Sequence, residues 1–130
     1  MPFTWSKTLE INLGSLRKNL QSIKRLLPED VAILPVIKND AYGHGLLEVA
    51  KVLAEERVWG FGLSEPEEGL ILRKAGFIHP IILLSGFEKD WLPEMVHLRL
   101  TPVVPSLDSF FILKEFCLKK GISVEFHLKA

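Results

Sequence analysis

Short apolar runs alternate along this chain with stretches of helical spacing, and that rhythm admits few architectures. A brief alternating run, Thr8-Leu9-Glu10-Ile11, comes first. Leu13, Leu16, Leu20, Ile23 and Leu27 then recur three and four residues apart, one face of a helix with Asn12 as its N-cap and Pro28 beyond its end. Val31 to Ile37 (VAILPVI) is almost wholly apolar, as a parallel strand covered on both faces must be, although Pro35 interrupts it. Leu46, Val49, Ala50 and Leu53 make a second helical face, and Val58 to Leu63 a further strand. Ser64-Glu65-Pro66-Glu67 has the form of a capping box with proline in the first turn, opening a helix that runs to about Ala75 and stops at Gly76.

Further strands are predicted at Pro80 to Leu84, Leu100 to Val104 and Ile122 to Leu128, with a short helical turn over Leu92 to Val96. Ser106 should cap a helix whose core side holds Phe110, Leu113, Phe116 and Cys117. Its end, Lys119-Lys120-Gly121, places cations on the negative helix terminus and then a glycine. About five strands separated by helices force parallel pairing. A doubly wound sheet and a (β/α)₈ barrel share this local pattern. A closed barrel needs roughly 200 residues or more, so a chain of 130 residues in that fold stops partway round. It would leave a strand edge and an open interior to be covered.

Composition removes several functional classes. Sixteen basic and sixteen acidic residues cancel, and the basic ones are scattered, so neither nucleic acid nor an anionic membrane is an expected partner. Cys117 is the only cysteine, which rules out an intrachain disulfide and cysteine-rich zinc modules. The start MPFTWSKTLEINL is not a signal peptide, and the apolar runs are too short to span a bilayer, which makes the cytoplasm the expected location. His97 and His127 lack the spacing of a metal motif, so no metal site is expected. Trp5, Trp59 and Trp91 read as packing residues.

One stretch stands apart. VIKNDAYGHG, Val36 to Gly45, carries a lysine out of an apolar strand into a turn with a phenol, two glycines and a histidine. In βα folds, chemistry sits where strands end and helices begin. Lys38 there is either a strand-end lysine reaching solvent or an amine held in a partly desolvated pocket, able to condense with an aldehyde. Asn39 and Asp40 read as ordinary turn residues.

The stretch resembles the pyridoxal phosphate lysine signature of alanine racemases, with lysine, tyrosine and Gly-His-Gly in the same order and spacing. Asn39 replaces the alanine more usual there. LEINLGSLRKNL, GFGLSEPEEGLILRKAG and FHLKA extend the resemblance over essentially the whole chain. What it implies is an α/β fold, a partial (β/α)₈ TIM barrel whose 130 residues end before closure. Residues 1–12 would form a strand belonging to a C-terminal β domain absent here. It further implies that Lys38 forms the Schiff base with pyridoxal 5'-phosphate and acts as an acid/base group on one face of the substrate Cα. Tyr42 would hydrogen-bond the cofactor phosphate. His44 would either orient the turn or simply start a helix, and Lys129 would match a lysine carbamylated in many members. Alanine would be the substrate, a tyrosine from the partner subunit of a homodimer the second acid/base group, and D-alanine for peptidoglycan the product. The chain alone, with Tyr42 its only tyrosine, would be nearly inactive. A non-catalytic pyridoxal phosphate barrel, a racemase of another amino acid and an interaction module without cofactor are the alternatives.

Overall fold

The computed structural model describes residues 7–129. Trp5 and the first half of the strand expected over residues 1–12 lie outside them. Residues 7–12 adopt no regular structure and are largely exposed. Leu9 and Ile11 alternate as a strand should, but among the described residues no strand pairs with them.

α1 (Leu13–Leu26) begins as expected, with the Asn12 side chain accepting from the Ser15 amide at 2.9 Å. Leu20 is buried and Leu13 and Leu16 pack beside it, whereas Ile23 and Leu27 project toward solvent. A single turn, α2 (Lys38–Gly43), precedes α3 (Leu46–Glu55), whose Leu46, Val49, Ala50 and Leu53 are all buried. β1 (Phe61–Leu63), α4 (Pro66–Lys74), β2 (Ile81–Leu83), α5 (Leu92–His97), β3 (Leu100–Val104), α6 (Leu107–Lys120) and β4 (His127–Leu128) follow. Ser106 caps α6 through the Ser109 amide, and Gly121 closes it in the left-handed conformation (φ 65°).

The strands pair in parallel in the order β1-β2-β3-β4. Val36 extends this sheet on the β1 side through a parallel bridge to Gly62. Every strand thus lies beside its neighbour in sequence. A doubly wound sheet reverses direction at a switch point, whereas sequential order is that of a (β/α) barrel wall. Phe61, Ile81 and Leu100 stand in one register row, Gly62, Ile82 and Thr101 in the next. Rows alternate in facing. The first joins Leu63, Leu83 and Val104 in the core beneath the helices, and the second lies on the opposite face.

Four strands are shorter than the runs expected for them, the first and last most of all. Val31 to Ile37 makes only one bridge, because Pro35 has no N–H to give to its neighbour. The hydrogen bonds that flank it persist: Trp59 N to Ile33 O at 3.0 Å, Gly62 N to Pro35 O at 2.8 Å and Ile37 N to Gly62 O at 2.9 Å. The last run is paired only at His127 and Leu128, with Lys129 N donating to Val104 O at 3.0 Å. Leu128 is 71% exposed on this edge.

The capping box is a correction. Glu65, not Ser64, occupies the N-cap of α4, with Pro66 in the first turn, and no side chain of the cap residue bonds the helix. Proline as the first helical residue holds its predecessor extended, which moves the cap one place along. Trp59 also departs from a packing role. It precedes β1 at the rim of the sheet and is 46% exposed, whereas Trp91 packs against the core.

Candidate active site

Lys38 leaves the sheet at the C-terminal end of its strand, where parallel barrels gather their chemistry. It is half-buried, and core residues bracket it: Ile37 and Ala41 are 3% and 4% exposed. Between them the backbone does something the sequence does not announce. Asn39, Asp40, Ala41 and Tyr42 all have φ between 52° and 57°, one turn of left-handed helix built without a glycine. Each L-residue in that region costs roughly 1–2 kcal/mol, less for Asn and Asp, whose short polar side chains tolerate it. The substitution at Asn39 is therefore suited to its backbone. Strain of this kind persists only where surrounding structure over-determines it, and it concentrates at functional sites.

Asp40 supplies much of that determination, a role that reading it as a turn residue misses. Its carboxylate Oδ1 accepts from the Leu46 amide at 2.7 Å, capping α3. Its carbonyl accepts from Gly45 N at 3.0 Å, and its own N–H donates to Glu68 Oε1 at 3.2 Å. The Ala41 amide reaches back to Ile37 O at 2.9 Å, closing the turn onto the strand.

Tyr42 and His44 complete the motif. Tyr42 is 57% exposed and borders a hollow of about 250 Å³ with Leu16, Ile37, Ala41 and His44. The His44 ring nitrogen Nδ1 lies 2.8 Å from Ala41 O, and His44 N donates to the same carbonyl at 3.1 Å. The histidine thus braces the turn. It does not cap α3, whose N-cap is Gly45 (φ 94°). Lys129, exposed, stands at the same strand end as Lys38, but β1, β2 and β3 lie between their strands. Among the described residues Tyr42 and His44 border one hollow, Lys38 opens the same turn without lining that hollow, and Lys129 stands apart.

A larger hollow lies elsewhere. About 1050 Å³ opens at the N-terminal end of the strands, bordered by Trp59, His79, Pro80, Arg99, Phe126 and His127. In barrels that end serves stability rather than chemistry. His79, His97 and His127 all border it, but among the described residues no three metal-binding side chains converge. Arg73 anchors this end. Its guanidinium donates to the carbonyls of Leu98 and Phe77, each at 2.8 Å, His79 at 2.9 Å and Arg99 at 3.1 Å. Partial burial, and secondarily the like charge of Arg99, hold its pKa below the usual guanidinium value. No helix among the described residues is long and apolar enough to cross a membrane.

An amine at a strand end, a phenol one turn further and a rigid backbone between them fit the two ends of pyridoxal 5'-phosphate. The aldehyde requires an amine, and the phosphate requires donors.

Comparison with known proteins identifies the family. The model of the alanine racemase N-terminal domain matches residues 11–130. Alanine racemase of Pectobacterium atrosepticum is 39% identical over 118 residues, covering 90% of this chain and 32% of the relative. Alanine racemase of Clostridium difficile 630, solved in complex with cycloserine, superposes with a TM-score of 0.85 at 38% identity. That match covers 92% of this chain and 32% of the other. A Bartonella henselae alanine racemase with covalently bound pyridoxal phosphate shares the fold, with a TM-score of 0.82 at 20% identity over 92% of this chain and 38% of the other. The chain spans about a third of the length of the curated relatives it matches. The sequential parallel sheet, the lysine turn and these matches together place the chain in the alanine racemase family, as part of its N-terminal barrel domain.

Proposed function

We propose that this chain is the lysine-bearing portion of a pyridoxal 5'-phosphate-dependent racemase that interconverts L- and D-alanine. The observation that carries the reading is the left-handed turn, which fixes Lys38 at the C-terminal strand ends. The bound Bartonella cofactor and the cycloserine bound by the Clostridium relative support a small amino-acid substrate and this cofactor.

When bound, the cofactor supplies an electron sink that acidifies the substrate Cα–H. Lys38 Nζ would hold the aldehyde end and would accept or return a proton at one face of the substrate Cα. The Tyr42 hydroxyl donates to the phosphate. His44, through Ala41 O, keeps the turn from relaxing. Inversion needs a second acid/base group on the opposite face. Tyr42 is the only tyrosine and is committed to the phosphate, so that group comes from the remainder of the enzyme or a partner subunit. The active species is then the longer enzyme, a homodimer where the partner subunit supplies that group, and this chain alone turns over little or no alanine. A cytoplasmic enzyme feeding D-alanine to peptidoglycan is the setting that follows from this reading.

The test is borohydride fixation of pyridoxal phosphate to the chain, followed by peptide mapping. Label on Lys38 above that on the exposed lysines, lost in Lys38→Ala, is the expected result. Label spread evenly over surface lysines would overturn the assignment. Tyr42→Phe should weaken pyridoxal phosphate by about fivefold, the loss of one partly exposed charged hydrogen bond, and leave phosphate-free pyridoxal unaffected.

A further inference from the structure

Glu68 has no part in the chemistry above, yet it touches the turn that carries it. It is the third residue of α4, half-buried, on the βα unit after the one bearing Lys38. Its Oε1 accepts the Asp40 N–H at 3.2 Å, while Oε2 lies 3.5 Å from the Ser64 amide at the end of β1, a weaker contact. We infer that Glu68 is a positioning residue for the cofactor lysine. Its carboxylate, brought over from the neighbouring unit, latches Asp40 and so holds the left-handed turn that directs Lys38.

Three features support the latch. Asp40 is at φ 55°, a conformation the chain leaves readily unless it is held. All three polar groups of Asp40 are engaged, by Glu68, Gly45 and the Leu46 amide, so one residue links α4, the turn and the start of α3. The Asp40–Glu68 bond is the one of the three that ties Asp40 to the next βα unit. The others join it to residues five and six places on, and do not fix where the turn sits over the sheet. A charged acceptor at the first turn of α4 is also favoured there by the helix dipole, so the carboxylate is held in place. An aldehyde can be held covalently only if the amine points at it, and small rotations of a turn displace a long side chain widely.

This inference rests on Lys38 being the cofactor lysine, and the experiment separates the two. Glu68→Ala removes the acceptor, and Glu68→Gln restores one without charge. Amide hydrogen exchange of the full chain, without cofactor, reads the latch directly. Glu68→Ala should speed exchange over residues 40–46 by about fivefold while leaving β2 and β3 unchanged, and Glu68→Gln should restore most of the protection. Borohydride fixation then reads the lysine. Label on Lys38 should fall in Glu68→Ala and recover in Glu68→Gln. Unchanged exchange in Glu68→Ala, or equal damage in both variants, overturns the latch. Altered exchange with undiminished labelling overturns the claim that the latch directs Lys38. If the wild-type chain takes no label at Lys38, the cofactor assignment fails, and the exchange result still decides the latch.

Discussion

Replacing Arg73 by methionine keeps the length of the side chain and deletes its donors. Four backbone carbonyls, from Phe77, His79, Leu98 and Arg99, lose their partner together. Three of these bonds are partly shielded from water, and that to Arg99 is exposed. A hydrogen bond from a charged donor is worth more than a neutral one, but water screens a half-exposed guanidinium. About 1–1.5 kcal/mol for each shielded bond gives roughly 3–4.5 kcal/mol in all. Against the total of about 5–15 kcal/mol typical of a domain, that is a large fraction. Urea unfolding followed by far-ultraviolet circular dichroism should show a lower midpoint at unchanged slope. Arg73→Lys should fall between the two, because an ammonium cannot present a planar fork to four separated oxygens. A loss below about 1 kcal/mol in Arg73→Met at constant slope would refute the reasoning, since water would then serve those carbonyls as well.

Other perturbations follow from the same structure. Gly60→Ala would put a Cβ 2.5 Å from the backbone oxygen of Pro80, which cannot swing away, so the strands must separate. We expect a loss of at least about 2 kcal/mol in the same urea assay. His79 Nδ1 is buried without a hydrogen-bond partner, beside the rings of Phe61 and Phe77 at 5.2 and 6.3 Å. His79→Phe should therefore leave the melting temperature unchanged or raise it, and a clear fall would show that the imidazole has a polar role. Hydrogen bonds from Arg17 and then Gln21 hold the Glu56 carboxyl below its ordinary value of about 4.5. A carboxylate with a lowered folded pKa stabilises above the unfolded pKa and loses that contribution as pH falls through the folded one. The stability gap between wild type and Glu56→Gln should thus be full above about pH 4.5 and close below it, as read by urea midpoints along a pH series.

The helix termini were legible because their chemistry is local. Asn12, Ser106 and Gly121 act on residues within one turn, and all three cap as their identities suggest. Lys38 at a strand end was equally legible, since an apolar run fixes where the strand stops. Strand lengths were not, because pairing depends on the neighbour: Pro35 removes one donor, and β4 pairs only where β3 is available. Ser64 looked like a cap by spacing alone, yet Pro66 shifted the helix start. The left-handed turn had a faint signal in Asn39-Asp40, the pair most at ease in that conformation, but Ala41 and Tyr42 argue against it locally. One of the bonds made to it comes from Glu68, 28 residues away. The Arg73 anchor had no signal whatever, since its acceptors are main-chain oxygens common to every residue. Sheet order likewise came from resemblance, as periodicity says nothing about which strand lies beside which.

Because each strand lies against the one made just before it, assembly of this wall need not wait for the whole polypeptide. Each new βα segment emerging from a ribosome meets a finished template at its own edge, so pairing proceeds in the direction of synthesis through short chain closures. At every stage the growing end stays the sticky one, and Leu128 occupies that position here.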